Sequence, residues 1–176
     1  MDWGAVGAIG EVLGAIGVIV SLLYVATQVR RNTRSIRASA YQALCDASAR
    51  FTVTLGSDPQ VAATFHKGLA GVEELSPNEA AQFQWLFHTA IRQIENGHFQ
   101  FGNGTMEAEN WRGWQESLQG VVGSPGGRRM WTVVRPRMRL SFVEFVERDV
   151  LPATSEAATA NFLRARSDVS NDVREP

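Results

Sequence analysis

The first pattern in the chain is a long apolar run. From residue 5 to residue 25 the sequence reads AVGAIGEVLGAIGVIVSLLYV, and its one formal charge is Glu11. At about 1.5 Å per residue, a helix of this length reaches across a hydrocarbon core of roughly 30 Å. The pattern therefore predicts one transmembrane helix within residues 1–29. A buried helix of a water-soluble domain is the competing reading, and the glycines weigh against it. Each of Gly7, Gly10, Gly14 and Gly17 costs a soluble helix about 1 kcal/mol relative to alanine. Membrane helices accept glycine where two backbones touch. Gly7, Gly10, Gly14, Gly17 and Ser21 recur at intervals of 3, 4, 3 and 4, a seam of small residues with heptad spacing.

The seam predicts close packing of this helix against its own copy. Each Val, Ile or Leu favours insertion by about 0.3–0.6 kcal/mol, while Glu11 opposes it by about 2–3 kcal/mol. Association that shields Glu11 would help the helix to insert. Trp3 and Tyr24 fall where interfacial aromatics are expected. Arg30, Arg31, Arg34 and Arg37 follow the span and none precedes it, which predicts an amino terminus outside and the remaining residues in the cytoplasm. A cleaved signal peptide would begin with a positive region, which this run lacks.

Beyond the arginines the pattern becomes amphipathic. Residues 32–55 contain no proline or glycine, and Ile36, Ala40, Leu44, Ala47, Phe51 and Leu55 form an apolar stripe. The helix is expected to continue as one rod to Gly56, Ser57 and Asp58. Asp58 and Pro59 then read as a cap and first-turn proline for a helix over 59–69. Ser76, Pro77 and Glu79 read as a capping box opening the longest helix of the soluble part, which carries Phe83, Leu86, Phe87, Ala90, Ile91 and Ile94 and ends near Phe101. Thr105 is expected to cap a helix over 106–122 with Trp111, Trp114, Leu118 and Val121 inward. A break at 120–127, a short helix over 127–134 limited by Pro136, and a last segment over 141–150 complete the pattern. No period-two strand is present. The expected fold is all-α: a transmembrane anchor over 1–29, a cytoplasmic helical bundle over 30–151, and a polar tail over 152–176 with at most a turn of helix at 156–166.

Composition adds little about partners, because the net charge of the 176 residues is only −1. All basic residues but Lys67 are arginine, and they cluster. The single Cys45 excludes an intrachain disulfide and any zinc site built on several thiolates.

Several groups of residues resemble one family. They are Ile9-Gly10-Glu11, Ser21-Leu22-Leu23-Tyr24-Val25-Ala26, Gln28, Arg30, Asn32, Thr33 and Arg37-Ala38-Ser39-Ala40-Tyr41-Gln42-Ala43. Glu95-Asn96, Phe99, Trp111, Gly113, Trp114 and Ser124-Pro125-Gly126-Gly127-Arg128 belong with them. Together they resemble a family of uncharacterised bacterial single-pass membrane proteins, over most of residues 3 to about 150. The resemblance implies an anchored helical domain at a bacterial inner (plasma) membrane and carries no activity or substrate with it.

Four constellations could carry chemistry. Glu11, an ionisable group within a membrane segment, could line a proton or cation path in a ring of helices, or lie hydrogen-bonded near the outer interface. Glu95 and His98, with His88 earlier on the same helix, have the spacing of metal ligands on one face. No second Glu-x-x-His exists, however, and hydrogen bonding of a buried Glu95, to Arg92 or a tryptophan N–H, is the favoured reading. The glycine-rich segment 120–127 precedes a helix but lacks the strand and the Gly-Lys-Ser/Thr ending of a phosphate loop, and is read as a turn. Arg128, Arg129, Arg135, Arg137 and Arg139, like Arg30, Arg31, Arg34 and Arg37, suit anionic lipid headgroups better than nucleic acid, with an acid-paired surface as the alternative for the first five.

The sequence thus predicts a self-associating, membrane-anchored interaction, scaffold or sensory module. Membrane lipid, copies of itself and a further protein are its expected partners. No enzyme activity, cofactor, metal or nucleic acid is expected. An oligomeric ion or proton pathway through Glu11 is the alternative function.

Overall fold

The computed structural model describes residues 3–154, with the side chains of residues 3, 5–10, 12, 13 and 15 outside that description. The expected turn of helix at 156–166, and the tail from residue 155 onward, lie outside it as well. All regular structure among the described residues is helical. The chain divides into two compact units, Met1–Ala40 and Tyr41–Pro176.

The first helix, α1, covers Trp3–Ser57, so the absence of proline and glycine from residues 32–55 was a sound guide to its length. Among the described residues, no helix is long and apolar enough to cross a membrane. Much of the expected span, residues 5–10, 12, 13 and 15, has its side chains outside the description. The boundary between units also falls later than residues 29/30. Residues 31–39 are exposed, Ile36 among them, and Leu44 is the first fully buried side chain among the described ones of α1. The apolar stripe therefore packs from Tyr41 and Leu44 onward, and Ile36 is no part of it.

Within the second unit, α2 (Pro59–Ala70) begins as expected, with the Asp58 carboxylate accepting from the N–H groups of Gln60 at 2.8 Å and Val61 at 3.4 Å. Helix α3 (Pro77–Gly102) opens on a complete capping box: Glu79 N–H donates to Ser76 Oγ, and Ser76 N–H donates to Glu79 Oε2. Phe83, Phe87, Ala90, Ile91 and Ile94 are buried on one face of α3, against which α2, α4, α5 and α6 all pack. After α3 the chain turns through Gly104, whose φ of +67° suits glycine.

Thr105 does not cap the next helix. Its hydroxyl donates back to the Gln100 carbonyl at 2.9 Å, closing the turn after α3, and α4 (Ala108–Gly123) starts two residues later than expected without a side-chain cap. The break expected over 120–127 narrows to one residue. Ser124 alone separates α4 from α5 (Pro125–Val134), donating to Val121 O at 2.8 Å and accepting from Gly127 N–H at 3.0 Å. A 3₁₀ turn at Arg135–Arg137, α6 (Leu140–Phe145) and a π-helical turn at Val146–Val150 finish the bundle. Phe142, Val146 and Val150 are fully buried.

Candidate functional site

In the first unit the described part of α1 is a surface feature. Ile16, Val18, Ile19, Val20, Leu22, Leu23, Tyr24, Val25 and Val29 are each between 52% and 66% exposed. Consecutive residues on a helix point about 100° apart, so these side chains spread over about 260° of its circumference, and the remaining sector holds Gly14, Gly17, Ser21 and Gln28. Of the expected seam, Gly14 and Gly17 lie in the open, with no other group within 4 Å of where a Cβ would stand. Ser21 turns its hydroxyl onto its own helix, donating to Gly17 O at 2.8 Å, and Thr27 and Thr33 do likewise to Tyr24 O and Val29 O. The side chains at Gly7 and Gly10 lie outside the described residues. Glu11 is exposed, as are Arg30, Arg31, Arg34 and Arg37.

In the second unit the Glu-x-x-His pair turns out to be structural. Glu95 is 4% exposed, and both its oxygens are engaged. One accepts from Arg92 Nη1 at 2.6 Å and the other from the backbone N–H of Arg139 at 2.6 Å. Arg92 also donates through Nη2 to the Arg137 carbonyl at 3.0 Å. Together these bonds pin the 3₁₀ turn and the start of α6 onto α3. His98 stacks on Phe145 with centroids 4.8 Å apart and lies between Trp111 and Phe142. Burial lowers its pKa from the usual imidazole value, opposed by the negative charge of Glu95. His88 packs edge-on against Trp85. Burial, and then the charges of Arg92 and Arg137, lower its pKa, again against Glu95. Among the described residues no three His, Cys, Asp or Glu side chains are grouped to hold a metal.

The arginines of 128–139 are mostly tied into the bundle. Arg128 donates to the carbonyls of Gly123, Leu151 and Thr154, holding the last turn against the end of α4. Arg129 forms an ion pair with Glu73, and Arg135 pairs with Glu147 at 2.5 Å. The Arg139 guanidinium lies 4.0 Å from the centre of the Phe99 ring. Trp131 and Met130, which separate these arginines in sequence, are core residues. Arg128 and Arg129, expected at lipid headgroups, thus have protein partners, and the acid-paired surface is the better description of Arg129 and Arg135.

The glycines of 120–127 are contact points between backbones. A Cβ on Gly126 would overlap the Gly68 carbonyl, and one on Gly127 the Val121 carbonyl. Gly68 in turn lies beneath the Phe83 ring. No sequence signal tied Gly126 to Gly68, or Glu95 to the Arg139 N–H, because both partnerships join residues far apart in the chain. Cys45 is half-buried and free, with the Tyr41 hydroxyl as neighbour, whose pKa it raises by hydrogen bonding and charge. Neither a protein-family model, nor a curated protein, nor a solved structure matches the chain.

Proposed function

We propose that the protein is a membrane-anchored helical module. Its first helix enters a bacterial inner membrane and self-associates, and its bundle serves in the cytoplasm as a scaffold or sensor for a further protein. The observation that carries this reading is the exposure of apolar side chains over about 260° of the circumference of α1 between residues 16 and 29, with Gly14, Gly17 and Ser21 in the sector that remains. A protein groove covers one face of a helix, whereas lipid covers all of them. The hydroxyls of Ser21, Thr27 and Thr33, each bonded within its own helix, leave little polar demand in this stretch. Arg30, Arg31, Arg34 and Arg37 then supply charge for anionic headgroups, at about 1 kcal/mol per residue near the surface. The resemblance to bacterial single-pass proteins supports the same reading.

The test is flotation of full-length protein with lipid vesicles through an alkaline carbonate wash, followed by light scattering of the detergent-solubilised chain. Retention in the lipid fraction and a defined oligomer, with residues 30–176 monomeric in buffer, are expected. Release by carbonate would refute the anchor, and a monomer in detergent would refute the self-association.

A further inference from the structure

A cleft of about 150 Å³ opens where Ser48 and Phe51 of α1 face α2, α3 and α4. Its apolar walls are Phe51, Phe65, Ile94 and Trp114, with Ser48 and Gln93 standing among them, and no residue lining it carries a charge. Interiors of proteins contain few voids larger than a water molecule. An apolar cavity of this size accommodates a benzene ring. The aromatic side chains already adopt the geometry that ring recognition uses: Phe51 and Phe65 meet edge-to-face, 5.9 Å apart and inclined by 82°. Hydrogen-bonding capacity is left over beside them. Among the described residues the Ser48 hydroxyl and the Gln93 amide oxygen make no hydrogen bond, and the Gln93 amide nitrogen donates only at 3.4 Å, to Ala47 O.

We propose that this cleft binds a small neutral molecule made of one apolar ring and one hydroxyl group, the ring lying among Phe51, Phe65, Ile94 and Trp114 and the hydroxyl bonded to Ser48 and Gln93. Neutrality follows from the uncharged lining, since an ion taken from water would find no countercharge there. The size of the ligand follows from the volume. Occupancy would also bear on α1. Residues 41–57 are held to the bundle by one fully buried side chain, Leu44, with Tyr41, Phe51 and Leu55 only half-buried. A ligand bridging α1 to α3 and α4 adds contacts to a stretch with one fully buried side chain, so its binding tightens the seating of that stretch. This is the form a sensory input to the helix would take, and it stands whether or not the chain is anchored in a membrane.

The test uses full-length chain in lipid nanodiscs, or in buffer if it does not enter them, with 5-fluorotryptophan at all five tryptophans. Benzyl alcohol is the probe, and fluorine NMR the readout, with the Trp114 resonance assigned through Trp114→Phe. A saturable shift of Trp114 alone is expected, weakened about tenfold or more (at least about 1.4 kcal/mol) by Ser48→Phe and by Ser117→Leu, which fill the cleft from α1 and from α4. The second variant alters only an exposed rim position, so it keeps the test valid if the first disturbs folding. Benzoate, of similar size but charged, should leave Trp114 unmoved over the same concentrations. A shift that does not saturate, a shift shared by all five tryptophans, or a saturable shift that both variants leave unchanged would overturn the site. Benzoate binding as well as benzyl alcohol would overturn the neutral ligand class.

Discussion

Glycine marks a difference between the two units, although the second also has open glycines at Gly56, Gly102, Gly104 and Gly113. In α1, Gly14 and Gly17 have open space where a side chain would stand, while in the bundle Gly68, Gly126 and Gly127 are each pressed against another group of the same chain. A glycine with no neighbour weakens a water-soluble helix by about 1 kcal/mol for no return within the monomer. A glycine at a backbone contact is the condition for that contact. These close contacts of the bundle are made within the chain, whereas the apolar side chains of α1 between residues 16 and 29 have no cover among the described residues. The largest expected effect tests this contrast. Gly126→Ala forces α5 away from α2 and should cost about 3 kcal/mol, the upper end for overpacking, since the obstacle is the Gly68 carbonyl and not a side chain that can rotate. Gly14→Leu should leave the bundle's unfolding transition, followed by near-ultraviolet circular dichroism of its tryptophans, where it was, and should instead lower the oligomer mass in detergent. Equal thermal penalties in the two variants would break the comparison.

The same contrast governs charge. Arg92, Arg128, Arg129, Arg135 and Arg139 of the second unit have named partners, and the most consequential is the pair that leaves Glu95 almost fully buried. Replacing Glu95 by Gln removes the negative charge from beneath Arg92 and weakens the acceptor for the Arg139 N–H. About 2–3 kcal/mol of stability should go with it, less than the roughly 3–5 kcal/mol of a fully buried pair because Arg92 is 46% exposed. Chemical denaturation measures this loss. Arg31→Ala in the first unit should cost no bundle stability in the same assay, and should reduce binding to vesicles of anionic lipid.

A smaller effect belongs to Ser124, which stands at the only junction between α4 and α5. Ser124→Ala deprives the α5 amino terminus of its cap and leaves the Gly127 N–H without an acceptor in a buried place, which should cost about 1–2 kcal/mol in the same denaturation experiment. A change below a few tenths would mean that Pro125 and the packing of Gly126 set the start of α5 on their own.

How much of this was legible in the sequence depended on the reach of each interaction. Asp58 with Pro59, and Ser76 with Glu79, are caps that work within one helical turn, so their spacing alone located two helix starts. The apolar faces of α3 and α4 were legible for the same reason, through the recurrence of Phe83, Phe87, Ile91 and Ile94 and of Trp111, Leu118 and Val121. Thr105 has the chemistry of a cap but faces two competing uses, and the one it adopts depends on the turn that Gly104 makes. Ser124-Pro125-Gly126-Gly127 has the composition of a turn, and its close approach to the distant Gly68 was not readable from it. The hydrogen-bonding role of Glu95 and its Arg92 partner were readable one turn apart on α3; the second partner, the Arg139 N–H, was not. Ile36 misled because periodicity marks which face is apolar and not where along a helix its cover begins.

The smallest expected effect is a pH dependence confined to the bundle, since residues 1–40 contain no histidine. His88 and His98 both bind a proton less readily in the folded chain than at the ordinary value of 6.5, chiefly because burial disfavours the charged ring. Below that value the unfolded chain takes up protons that the folded chain resists, so this part of the stability is complete above about pH 7 and is lost as pH falls through 6 towards 5. Glu79 and Asp149 act in a separate window. Ser76 and Arg148, respectively, hold their carboxyl groups below the usual range, so their contribution persists through pH 5 and fades only at more acid pH. His98→Phe separates the two histidines. It keeps an aromatic ring against Phe145, Trp111 and Phe142 while removing the site of protonation, so denaturant midpoints measured between pH 7 and 5 should fall less steeply than in the parent chain. An unchanged slope would assign the effect to His88 and the arginines beside it, and would leave His98 as a packing residue of the aromatic cluster joining α3, α4 and α6.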